Sequence, residues 1–169
     1  MSRIYGVVSH ATLRKQLKQF RRMAFCTCCR SRPRTEHNYD YTCLNDDLVK
    51  FLSDNHLGVM AMEQPVAIDG VTGRVDCIFL RKSDKRTLFI VDWKFLSNIP
   101  ADLPMDYVVQ LNLYMYMMKR MKRFEKFDMT MWCLCFSSRP TNKSTFKAFS
   151  VQPLPENFIR TLITKTNFY

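Results

Sequence analysis

Apolar and polar positions change period several times along this chain, and each change marks a boundary. Between 43 and 55, Leu44, Leu48, Phe51 and Leu52 recur at helical spacing and predict a first helix. Residues 59–68 alternate loosely, as a strand does, and Asp69-Gly70-Val71-Thr72-Gly73 reads as the turn into a second strand at 74–80. Lys82-Ser83-Asp84-Lys85 is a polar turn, followed at 88–95 by an apolar run of β-formers suited to a central strand. Pro100 and Pro104 make 97–106 a loop. From Pro104 or Asp106 to Phe124, the spacing of Val108, Leu111, Met115, Met118 and Met121 predicts an amphipathic helix whose methionine stripe is core. A buried strand at 129–136, a polar loop at 137–147, an edge strand at 148–151 and a closing helix from Pro155 complete the pattern. The order helix, three strands, helix, strand predicts an α/β sandwich: a mixed central sheet of four to five strands flanked by helices.

Charge divides the chain unevenly. Residues 1–35 hold nine of the 26 Lys/Arg and no acid, whereas 36–169 carry 17 Lys/Arg against 15 Asp/Glu. The expected organisation is a basic N-terminal arm or helix at 1–35 and a single domain at 36–169, long enough to bury a core. Leu13, Leu17, Phe20, Met23 and Ala24 recur at helical spacing among basic residues that include Arg21 and Arg22. Three readings of this arm stand side by side: a mitochondrial targeting segment, a nucleic-acid-binding arm, or a solvated helix. No apolar run reaches about 18 residues without charge, so no membrane span is expected. Seven cysteines, an odd number, with no secretory signal point to a reducing intracellular compartment, nucleus or mitochondrion in a eukaryotic or viral setting.

The candidate chemistry lies between 73 and 114. On a strand, Asp92 and Lys94 share one face while Val91, Trp93 and Phe95 share the other. A carboxylate and an ammonium on a buried strand are costly unless partnered. A divalent cation on Asp92 would be one partner, and an antiparallel pairing brings Asp76 of the preceding strand beside it. Two such oxygens suit Mg²⁺ or Mn²⁺. Gln110 and Tyr114, four apart, stack on one helix face. Taken singly, Asp-x-Lys is a common triplet and Gln-x-x-x-Tyr is one helical turn. Their order and spacing together carry the weight.

That order, in Val75-Asp76-Cys77-Ile78, Val91-Asp92-Trp93-Lys94 and Gln110-Leu111-Asn112-Leu113-Tyr114, resembles the PD-(D/E)xK nuclease superfamily and its restriction-endonuclease-like fold. Within it, the pattern is similar to the RecB-like branch with a Gln-x-x-x-Tyr helix and to mitochondrial genome maintenance exonucleases, over roughly residues 41–136. The resemblance implies that Asp76, Asp92 and the Trp93 backbone carbonyl bind Mg²⁺ or Mn²⁺. Lys94 would orient or activate water and stabilise developing charge, and Gln110 and Tyr114 would steady the site and the DNA strand. Glu63 resembles the glutamate that many relatives carry on the first strand. Asn45 stands where relatives often carry His, with Asp46 or Asp47 as substitutes. Nucleic-acid contacts fall to Arg74, Gln110, Tyr114, Lys119, Arg120, Lys122, Arg123, Arg21 and Arg22. The one-plus-three cysteine pattern of cluster-bearing relatives is not reproduced, so no iron–sulfur cluster is expected; Cys133 and Cys135 read as small buried hydrophobes. The implied activity is metal-dependent hydrolysis of DNA phosphodiesters, exonuclease-like or at single-stranded ends. The alternatives are an inactive nucleic-acid-binding module on the same fold and an RNA endonuclease.

Overall fold

The computed structural model describes residues 46–137 and 146–166. The arm, His37, Asn45 and the cysteines at 26, 28, 29 and 43 lie outside them, as do Arg21 and Arg22. In chain order the elements are α1 (Asp46–Asp54), β1 (Leu57–Ile68), β2 (Val71–Arg81), β3 (Thr87–Leu96), α2 (Met105–Lys119), β4 (Asp128–Ser137), β5 (Phe146–Val151) and α3 (Glu156–Thr166). Five strands form one sheet in the order β1-β2-β3-β4-β5. All neighbours are antiparallel except β3 and β4, which run parallel with α2 as the crossover between them. This is the mixed-sheet α/β sandwich of restriction-endonuclease-like proteins.

Local chemistry explains the connections. Asp69 and Gly70 both adopt left-handed backbone, with φ of 46° and 81°, and close a two-residue hairpin between Ile68 and Val71. The turn is therefore shorter than the predicted five residues, and Thr72 and Gly73 belong to β2. Between β2 and β3, Asp84 Oδ1 accepts from the amides of Arg86 and Thr87, and Oδ2 accepts from the Thr87 hydroxyl. These bonds hold the Asp84 carboxyl well below the usual range.

Each face of the sheet has its own core. On one side Leu48 and Leu52 of α1 meet Phe79, Phe89, Val91, Trp93 and Leu134. On the other, Leu111, Met115 and Met118 of α2 meet Val75, Ile78, Ile90 and Met131. Here the expectation of an amphipathic α2 is corrected. The helix also buries Asn112 and Met117, because it lies between the sheet and α3 and needs apolar groups on two sides. Asn112 seals that junction: its amide nitrogen donates to the Val108 and Gln152 carbonyls, and its oxygen accepts from the Leu154 amide at 2.8 Å. The helix also stops earlier than Phe124. It ends at Lys119, Met121 turns extended, and only a 3-10 turn, Lys122–Phe124, follows. Among the described residues no helix is long and apolar enough to cross a membrane.

Candidate active site

The centre of the sheet splits at one point. The β2–β3 ladder runs from Leu80↔Leu88 to Cys77↔Val91 and stops. Asp76 and Asp92 are the next residue on each strand, so they stand where the strands part. Asp76 Oδ2 accepts a hydrogen bond from the Trp93 amide at 3.0 Å, a side chain replacing the carbonyl a continued ladder would have offered. β3 carries on beside β4, pairing Asp92 with Cys133 and Lys94 with Cys135.

Asp92 is only 3% exposed. Lys94 Nζ lies 2.9 Å from its Oδ2, a close ion pair. The ammonium donates to Gln110 Oε1 at 3.0 Å, and Gln110 Nε2 donates to the Tyr114 hydroxyl at 2.9 Å. The two contacts fix the orientation of the Gln110 amide. Its oxygen must face Lys94 and its nitrogen Tyr114. Asp76, Asp92, Lys94, Gln110 and Tyr114 thus form one connected set.

Electrostatics mark the carboxylate pair. Burial, and then the charge of Asp92 and a hydrogen bond to it, push the Asp76 carboxyl up to about 8 against the Trp93 amide and Lys94. For Lys94, burial opposes the charged form, but Asp92 and Asp76 together outweigh it and raise its pKa. Two carboxyl groups set together in a buried place, one of them keeping its proton against the other's charge, form a site with only one ammonium to balance it. A hard divalent cation fits that donor set, since Mg²⁺ commonly uses one or two carboxylates and keeps several waters. Among the described residues no group of three or more His, Cys, Asp or Glu side chains converges.

Glu63 lies across from Asp76, between the pairs Met62↔Cys77 and Gln64↔Val75, with left-handed backbone at φ 51°. Such a conformation in a non-glycine residue within a strand is strained. Of Asp46 only the backbone position at the start of α1 is described, and Asp47 is exposed on that helix. Arg74 is exposed on β2, between Gly73 and Val75, whose contacts are with the α2 side. Lys119 and Lys122 are exposed at the far end of α2. Arg120 is engaged within the fold, pairing with Glu156 of α3 and lying over the Tyr116 ring, so it braces two helices. Arg123 donates to Gln64 Oε1 at 3.0 Å, beside Glu63.

Two contributors were not assigned from sequence. Tyr107 places its ring 4.6 Å from Lys94 Nζ, a cation–π contact beneath the ammonium. Its position three before Gln110 and seven before Tyr114 on the same helical face was the available signal. Gly73 is not a turn residue: a Cβ there would sit 2.6 Å from Tyr114 Cε1, so the missing side chain is what admits the tyrosine ring. Cys133 and Cys135 are fully buried on the Lys94 side of β4, with their sulfurs 3.9 Å apart.

Comparison with known proteins agrees with this arrangement at the level of the family. The family model of the PD-(D/E)XK nuclease superfamily matches residues 5–165. No curated protein matches the sequence. Among solved structures, one described as "Crystal structure of SSO0001" is 13% identical over 94% of this chain and 70% of that one, with a TM-score of 0.40. With its family match spanning nearly the whole sequence, the chain belongs to the PD-(D/E)XK nuclease superfamily.

Proposed function

We propose that the protein is a metal-dependent nuclease hydrolysing DNA phosphodiester bonds, exonuclease-like or acting at single-stranded ends. The observation that carries this reading is the linkage of Asp76, Asp92, Lys94, Gln110 and Tyr114 at the point where β2 and β3 part.

Asp76, Asp92 and the Trp93 carbonyl would hold Mg²⁺ or Mn²⁺. When bound, the cation supplies Lewis acidity, lowering the pKa of water and offsetting charge on the phosphate. The remaining work falls to the chain itself. Lys94 presents a permanent positive charge where negative charge grows on the phosphoryl oxygens in the transition state. Gln110 and the Tyr107 ring hold that ammonium in place, so little reorganisation is needed as the reaction proceeds. Tyr114, seated on Gly73, keeps Gln110 in the required orientation. Glu63 stands next to Asp76 as a supporting acid, and exposed Arg74, Lys119 and Lys122 are candidates for backbone phosphates.

The test is cleavage of labelled single-stranded DNA, double-stranded DNA and RNA with Mg²⁺, Mn²⁺ or EDTA. Cutting that needs a divalent ion and is lost in Asp92→Asn is expected; equal cutting by wild type and variant would refute the site. The RNA arm separates a ribonuclease from a deoxyribonuclease. The two-carboxylate donor set favours one second reading, a nucleic-acid-binding module without cleavage, which predicts binding in EDTA and no cutting under any condition.

A further inference from the structure

A second lysine stands in line with Lys94 across the sheet. Cys135 pairs with Lys94 on one side and with Lys147 of β5 on the other. Directly paired residues share a face, so Lys94, Cys135 and Lys147 form one lateral row on the α2 side. Strands are roughly 4.8 Å apart, which sets the two lysine backbones roughly 10 Å from one another. Lys147 Nζ donates to the Ala101 carbonyl at 3.2 Å and lies 4.5 Å over the Phe149 ring. Neither contact neutralises its charge, and among the described residues no carboxylate pairs with it. Arg120, by contrast, is consumed by Glu156.

Lysine on an edge strand often serves only to deter pairing with another sheet. Lys147 also folds back onto the loop that follows β3, where it meets the Ala101 carbonyl, and it stands in the row that begins at Lys94. We infer that Lys147 binds a backbone phosphate of the nucleic-acid strand, at a subsite displaced from the scissile phosphate along the direction from β3 to β5. The inference rests on the nuclease reading above and extends it by giving the strand a path. The ligand class is a phosphodiester backbone, read by charge and not by base.

The test uses the full chain in EDTA, where binding is separated from cutting. Binding of a fluorescein-labelled single-stranded oligonucleotide is followed by anisotropy through a salt series. Lys147→Ala is expected to weaken binding about three- to tenfold and to lower the slope of log affinity against log salt by about 0.7, the loss of one phosphate contact. Lys147→Arg should keep both. Lys85→Ala, exposed in the turn before β3 and at the opposite end of that strand from Lys94, should change neither. An unchanged slope and affinity in Lys147→Ala would overturn the inference and leave an edge-strand role. Failure of the nuclease reading looks different: wild type with Mg²⁺ leaves DNA and RNA uncut, whatever happens at position 147.

Discussion

The carboxylate of Asp76 bonds the backbone amide of Trp93, the residue between Asp92 and Lys94. This single contact ties the end of one ladder to the chemistry of the next strand. It holds β2 and β3 together where their backbones no longer pair, and it sets two carboxyl groups against each other in a buried place. Much of what the site can be expected to do follows from that arrangement.

The first consequence is pH dependence. In the unfolded chain Asp76 releases its proton near pH 4, whereas in the fold it keeps it up to about 8. Between those limits the folded state binds the extra proton, so this group's contribution to stability is full below about pH 4 and is lost as pH rises towards about 8. Urea unfolding of wild type and Asp76→Asn in EDTA, compared from pH 4 to 8, should show the wild type losing ground to the variant as pH rises. A constant difference would count against the carboxyl pair. Divalent-ion affinity, measured calorimetrically, should climb through the same window as the proton is displaced.

Lys94 offsets a buried carboxylate besides facing the proposed substrate. Lys94→Met should lower cleavage by at least about 100-fold, the scale of losing one pre-placed charge donor. It should also cost on the order of 3 kcal/mol of stability near pH 8, because Asp92 is left buried without its counter-charge. Adding Asp92→Asn to Lys94→Met should recover most of that stability and none of the activity. Chemical denaturation and single-turnover cleavage read the two effects separately.

Gly73 and Tyr114 should behave as one unit. Gly73→Ala forces a methyl group to 2.6 Å from the tyrosine ring. A destabilisation of about 1–3 kcal/mol is expected, with loss of the Gln110 contact and at least tenfold slower cleavage. In the background of Tyr114→Ala the same glycine substitution should cost almost nothing in stability. A double-mutant cycle on thermal unfolding measures the coupling, and additivity would show that the ring is not seated on the glycine.

Glu63 carries strain in a place where a glycine would rest easily. Glu63→Gly should gain about 1 kcal/mol of stability from relief of the left-handed backbone. If the acid supports the site, cleavage falls in the same variant that melts higher. A more stable chain with unaltered cleavage would assign Glu63 to the backbone of β1 alone.

Local pattern made most of the elements legible. Alternation within 59–68 and the apolar run at 88–95 identified β1 and β3, because a strand's side-chain period is written in consecutive residues. The same period placed Asp92 and Lys94 on one face, as they are. Gln110 and Tyr114 were readable together because four residues make about one helical turn. The extra apolar side of α2 was not readable, since it depends on α3 packing against it. Nor could spacing reveal that Gly73 makes room for a ring on another element, or that Tyr107 lies beneath Lys94. Periodicity records which way a residue points within its own element. Which groups meet is set by where ladders start, shift and stop, and here the stop after Cys77↔Val91 is what brings Asp76 to Trp93 and opens the centre of the sheet.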